Sequence, residues 1–237
     1  MHNTFRFFII VNLITLNCIA QSTESEKGDP VFTEYSSGYI KDGYNVGVWE
    51  YYDLPGELSI SVNYDNGKLL YLIPDTSEYV IKVDDRWVSS KLDIQPRYIG
   101  SMVEFYKILY KNTTYPKKAR ENSIVGKFYI TFEVDTLGHA GEYEVIHDIG
   151  GECSKEIIRT LKLIPNFWLS AMKDKRKYVA KFILPINFTI EIDGKVVNDP
   201  RKAELVETNL PIAKSLDMVL IRAMAVKRTS QSYMRPF

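Results

Sequence analysis

Cysteine and histidine are scarce in this sequence, and so are long apolar runs and any excess of one charge. Only Cys18 and Cys153 occur among 237 residues, and Cys18 lies in an N-terminal stretch that reads as a removable leader. A chain that loses it keeps one cysteine and forms no internal disulfide. His2, His139 and His147 are the three histidines. The last two fall at opposite ends of one expected strand, and no cysteine or carboxylate set completes a zinc site. Thirty basic side chains balance thirty acidic ones, which argues against a nucleic-acid partner, since that needs a concentrated basic face. Gly150-Gly151 lacks the G-x-G-x-x-G or P-loop pattern of a phosphate cradle. Pairing Cys153 with His147 as nucleophile and base leaves no orienting third group, and Asp84, Asp85 and Asp135 read as turn residues. The sequence points away from an enzyme and asks for no cofactor or metal.

The N-terminus supplies the longest apolar stretch. His2 and Arg6 precede Phe7 to Leu16, and Cys18-Ile19-Ala20 is followed by polar Gln21 to Ser25. These are the parts of a secretory signal peptide over residues 1–20, cleaved after Ala20. A membrane span needs about 20 apolar residues, and this run is shorter and carries Asn12. Two alternatives stay open: acylation at Cys18, for which Leu16-Asn17 is a poor lead-in, and retention as an inner-membrane anchor. Residues 21–39 read as a short flexible lead that is not proline-rich.

What is abundant is tyrosine, sixteen of them in a chain that is 45% hydrophobic, a composition suited to half-buried strands. Over residues 40–95 an aromatic strand around Trp49, Tyr51 and Tyr52 is followed by the Pro55-Gly56 turn. Leu58, Ile60 and Val62 then alternate with Ser59, Ser61 and Asn63, and Asp65-Asn66-Gly67 marks a hairpin. Another strand or two is expected over Glu78 to Trp87, the whole making a small β-meander.

Residues 96–193 carry a denser pattern. Gly100 to Asn112 presents Met102, Phe105, Ile108 and Leu109 on one stripe and predicts a helix. Pro116 suits the first turn of a second, short helix. In Gly126 to Val134, Phe128, Ile130 and Phe132 alternate with Tyr129, Thr131 and Glu133, and the return run Ala140 to Ile146 makes an antiparallel hairpin. Ser154 to Leu163 predicts a helix. Val179 to Ile192 is a long strand containing Pro185, which cannot donate to a ladder and so predicts at least one free edge. Residues 194–237 read as an amphipathic basic tail, with Ile212, Leu216, Val219, Leu220 and Met224 near helical spacing. Such a helix packs on its own protein or meets a partner or membrane surface.

Tyr115-Pro116-x-x-Ala119-Arg120, Val134-Asp135-x-x-Gly138-x-x-Gly141, the Gly150-Gly151 break before a helix, Pro165 after it and Leu184-Pro185-Ile186-Asn187-Phe188 together resemble the TonB C-terminal domain. Phe167 to Ser170 departs from that pattern, as does Asp174 to Lys177. More weakly, Gly47-x-Trp49-x-Tyr51-Tyr52 and Asn63-Tyr64-x-x-Gly67-Lys68-Leu69 resemble one unit of MORN-like repeats. The first resemblance implies an α+β fold, a three-stranded antiparallel sheet with two helices. It also implies a non-enzymatic periplasmic interaction module that takes an extended peptide, such as the N-terminal segment of an outer-membrane TonB-dependent receptor, by strand addition. By the same resemblance Thr114, Tyr115, Pro116, Tyr178, Lys181, Phe182 and Ile183 line the peptide site. An exposed edge strand would also permit a homodimer, and the edge is otherwise covered by the chain's own tail or meander. An energy transducer that keeps its anchor, and a structural envelope scaffold, are the other readings.

Overall fold

The computed structural model of the protein describes residues 28–192, 195–197 and 213–225. The expected signal peptide lies outside the described residues, as do residues 198–212 and 226–237 of the tail. The chain divides into two compact units. One runs to Pro74 and includes Gly100–Val103. The other takes Asp75–Ile99 and everything from Glu104 onward.

The first unit is a five-stranded antiparallel meander in sequence order. Its strands are β1 (Asp29–Phe32), β2 (Ser36–Lys41), β3 (Tyr44–Leu54), β4 (Glu57–Asn63) and β5 (Lys68–Leu72). The sheet therefore begins inside the stretch read as a flexible lead: Thr33 accepts the Tyr35 and Ser36 N–H groups at its hydroxyl, and this local turn folds β1 back on β2. Trp49, Tyr51, Ile60 and Val62 share the buried face, with Val62 opposite Trp49 and Ile60 opposite Tyr51. Trp49 lies so close to Gly38 that a Cβ there would meet the indole within 2.3 Å, and its Nε1 donates to the Tyr39 carbonyl at 3.0 Å.

In the second unit β6 (Tyr79–Val83), β7 (Arg86–Ser90) and β8 (Arg97–Tyr98) precede α1 (Met102–Asn112), whose first two residues group with the meander, and α2 (Lys117–Glu121). β9 (Gly126–Val134), β10 (Ala140–Ile146) and α3 (Cys153–Leu161) come next. β11 (Trp168–Leu169), β12 (Ala171–Lys173), β13 (Arg176–Tyr178), β14 (Ala180–Ile192), β15 (Lys195–Val197), β16 (Lys214–Ser215) and β17 (Val219–Ala225) complete it.

Two further expectations are corrected. First, among the described residues the sheet is eight-stranded: β10-β9-β14-β6-β7 form its path, and β15, β16 and β17 also pair with β14. β6 and β7 thus belong here and not to the meander. The reason is burial of Tyr79, Val80 and Ile81 in succession, which a strand gains only where both its faces are covered. Second, the tail is not a helix over its described part. Val219, Ile221 and Ala223 are buried while Leu220, Arg222 and Met224 are exposed, a period of two. The β-branched pair Val219 and Ile221 suits that strand, and the helical spacing counted Leu220 and Met224, which face out.

The core lies on one face of β9 and β14. Phe182 sits opposite Phe132, Leu184 opposite Ile130 and Ile186 opposite Phe128, and all six are buried. Phe105 and Leu109 of α1, Ile157 of α3 and Trp168 are buried as well. The aromatic members stack in preferred geometries, Phe132 with Phe182 at 5.3 Å and edge-on to Trp168 at 5.6 Å.

Candidate functional site

β14 is the strand around which the second unit is built, and its two flanks are filled differently. On one side β9 pairs with it antiparallel from Ala180 through Phe188 without a shift. The β9–β10 turn is held by Asp135, whose Oδ1 accepts the N–H groups of Leu137 and His139 at 2.8 Å each. Asp135 is thus the turn residue the sequence suggested. At Gly138, with φ near 87°, the Trp168 backbone comes so close that a Cβ would stand 2.1 Å from its carbonyl oxygen.

On the other flank three separate segments share the length of β14. β6 pairs antiparallel at Ala180 and Lys181. β16 runs parallel at Phe182 and Ile183, and β17 runs parallel from Ile186 to Ile192. The Leu216 N–H donates to the Ile183 carbonyl at 2.9 Å and the Lys82 N–H to the Val179 carbonyl at 2.9 Å. Odd-numbered residues of β14 therefore point their main-chain groups to this flank, because direction alternates along a strand. Pro185 is one of them and has no N–H to offer. The pairing with the tail lapses at that level, between β16 and β17, while the ladder with β9 continues through Pro185 opposite Tyr129.

The tail completes the core face. Val219 sits opposite Ile186, Ile221 opposite Phe188 and Ala223 opposite Ile190. Side chains fasten it further. Lys214 Nζ reaches Asp75 Oδ2 at 3.8 Å, lies over the Tyr79 ring at 4.5 Å and donates to the Ser77 hydroxyl. Asp75 also accepts the Ser77 hydroxyl, the Ser77 N–H at 2.8 Å and the Tyr79 hydroxyl at 2.5 Å. Burial alone would raise the Asp75 pKa, but these hydrogen bonds, aided by the Lys214 charge, outweigh it and hold it at about 2. Burial, followed by the neighbouring Asp75, pushes the Tyr79 pKa up, so that hydroxyl stays a donor. The Asp217 N–H donates to the Tyr106 hydroxyl at 2.9 Å, and Arg222 reaches Glu191 at 3.5 Å.

Of the seven residues singled out from the sequence, Lys181, Phe182 and Ile183 lie on β14, Tyr178 on β13, and Thr114, Tyr115 and Pro116 between α1 and α2, and they do not close on one pocket. Phe182 is in the core and Ile183 is buried on the opposite face with Tyr129, beside Ile146 and Ala213. Lys181 pairs with Glu133 at 3.7 Å and covers the Trp87 ring at 4.3 Å. Tyr178 is half-buried on β13, opposite Ala171. The Thr114 N–H donates to Glu156 at 2.7 Å, and Pro116 precedes α2 in an extended conformation. Tyr115 is buried edge-on to Phe188 with ring centroids 5.0 Å apart, and Phe188 is the residue that faces Ile221. Asp75, Ser77, Tyr79 and Lys214 escaped the sequence reading. Their only signal was a lysine at the head of an alternating run, which helical spacing obscured.

Little else offers chemistry. Burial, followed by the Asp148 charge, pushes the Cys153 thiol up to about 12, so it is no nucleophile at neutral pH. No group of three or more potential metal ligands clusters among the described residues. A cavity of about 230 Å³ beside Phe105, Phe132, Tyr143, Leu161 and Trp168 is apolar. Asn166 on its rim is occupied with the Ala140 backbone, at 2.6 and 2.8 Å. No helix among the described residues is long and apolar enough to cross a membrane. Residues 111–190 match the family model of the Gram-negative bacterial TonB protein C-terminal, under half of the chain. Comparison with curated proteins and with solved structures gives no match.

Proposed function

We propose that this protein is a periplasmic, non-enzymatic interaction module of the TonB C-terminal type that takes an extended protein segment by strand addition along β14. The N-terminal segment of an outer-membrane receptor is the partner class that the family match favours. The docking edge is the flank that β16 and β17 now cover. Phe182 and Ile183, with Lys181 and Tyr178 just before them, form its beginning, and the Thr114-Tyr115-Pro116 turn backs its far end through Phe188. The observation that carries this reading is that an extended, alternating segment already adds there in parallel. Main-chain bonds supply affinity in such a mode and alternate side chains supply choice.

The test is capture of N-terminal peptides from outer-membrane transporters on the immobilised full chain. Asn187→Pro removes a donor from the tail-facing flank alone and is expected to cut capture tenfold or more while the circular dichroism of the helices is kept. Undiminished capture by that variant would sink the edge assignment. The covered edge also favours a second reading, a structural envelope scaffold whose β14 never accepts a partner. On that reading no peptide is captured, by the parent chain or by any variant with a loosened tail.

A further inference from the structure

β14 carries an obligation that the tail discharges. Without β16 and β17, odd-numbered main-chain groups from Ile183 to Glu191 would face outward beside the apolar row Ile186, Phe188 and Ile190. An edge of that kind is a template for aggregation. A module that waits for a strand partner needs something on that edge meanwhile, and the attachment of the tail suits a temporary occupant. It is parallel, and parallel pairs are slightly weaker per residue. It lapses at Pro185. It buries three side chains of modest size, Val219, Ile221 and Ala223, and leaves Leu220 and Met224 exposed.

The occupant also shows what the edge selects. Three apolar positions are met at alternate residues on the core face. At the other end Asp75, Ser77 and the face of Tyr79 enclose one ammonium group. A carboxylate held ionised beside an aromatic face is a cation subsite. Lys214 fills it, five residues before Val219.

We propose that β16–β17 is the chain's own ligand for the β14 edge, and that a partner binds by displacing it with a segment of the same pattern. That segment is extended and runs parallel to β14. It carries a lysine or arginine followed five, seven and nine residues later by small or β-branched apolar side chains. The proposal rests on the strand-addition reading and adds to it both a competitor and a specificity. Its cost to affinity follows from populations: a tail docked all but about one part in a hundred weakens the apparent affinity of a partner about a hundredfold.

The probe is a fluorescent peptide with the sequence of residues 213–225, titrated into the full-length protein. Asn187 and Leu220 are opposite one another in the parallel register, so Asn187→Cys with Leu220→Cys locks the tail when oxidised. Cys153 is buried and takes no part. The oxidised chain is expected to bind no peptide and the reduced chain to bind it weakly. Ile221→Lys, which places a charge in the core-facing row, should bind at least tenfold tighter than the parent, and Lys214→Ala should move affinity the same way by less. An oxidised chain that binds as well as the reduced one would overturn the proposal, since the tail would then not be the competitor. If Ile221→Lys and Lys214→Ala both keep their helical signal and neither binds, strand addition itself fails, and the scaffold reading takes its place.

Discussion

The two flanks of β14 differ in almost every respect that governs how firmly a strand is held. Toward β9 the pairing is antiparallel and unbroken, and β9 is itself fixed in a hairpin with β10 whose turn is pinned by Asp135 and by the backbone of Trp168 at Gly138. Toward the tail it is shared among three segments that are distant in sequence, mostly parallel, and interrupted at Pro185. Yet both flanks feed one core, since Phe132, Phe182, Ile186 and Ile221 all lie on the same face. The difference teaches that a single proline, placed on an odd-numbered position, weakens one flank without touching the other. Had it stood at Leu184 or Ile186, the missing N–H would have fallen on the β9 side.

The contrast can be broken most severely from the firm flank. Phe132→Ala deletes a fully buried ring that touches Phe182, Trp168 and Tyr143. It is expected to cost about 3–5 kcal/mol, read as an earlier and cooperative denaturant transition of the second unit. Ile221→Ala removes a buried side chain of the tail, at about 2 kcal/mol. Its signature should be local: hydrogen-exchange protection falls for the Asn187, Thr189 and Glu191 amides, which face the tail, while the even-numbered amides that face β9 keep theirs. Equal loss on both sides would mean that the two flanks open together. Gly138→Ala, strained by its positive φ and by contact with the Trp168 carbonyl, is expected to cost about 1–2 kcal/mol. That loss should loosen β10 more than the tail.

Much of this was legible in the sequence because local chemistry decided it. Alternation placed β9 and β14, Asp135-Thr136-Leu137-Gly138 placed the β9–β10 turn, and the spaced landmarks from Tyr115 to Phe188 pointed to the family that residues 111–190 match. Even the departure at Asp174 to Lys177 folds as a tight β12–β13 turn, with Asp174 and Lys175 both at positive φ. What stayed hidden depends on partners far along the chain. Tyr79 to Ile81 is a short apolar run that fits either sheet, and only its place beside β14 shows that it leaves the meander. The tail satisfied a helical count because Leu220 and Met224 are apolar yet exposed, and exposure is fixed by the parallel register with β14. The free edge expected from Pro185 is instead covered by β6, β16 and β17, and which flank the proline interrupts follows from the direction of a main-chain carbonyl. The Asp75 cluster gathers residues more than a hundred positions apart.

The smallest expected effect tests whether the cation subsite exists before a cation fills it. Asp75 is ordinarily a carboxylate of pKa about 3.9 and is held at about 2 in the folded protein. A depressed folded pKa means that the group contributes stability at neutral pH, begins to lose it as pH falls below about 4, and has lost it below about 2. Lys214→Met keeps the length of the side chain and removes its charge, and for a partly exposed ion pair this is expected to cost under about 1 kcal/mol. The measurement is the titration of the Asp75 carboxyl by NMR in the parent and in this variant. The hydrogen bonds from Ser77 and Tyr79 lower its pKa more than the lysine does, so the pKa should rise only part of the way. The carboxylate is then already organised to receive a basic residue from elsewhere. A full return to the ordinary carboxylate range would mean that Lys214 itself assembles the cluster. In that case the tail would be a fixed strand of the sheet, and the two flanks would differ in geometry but not in permanence.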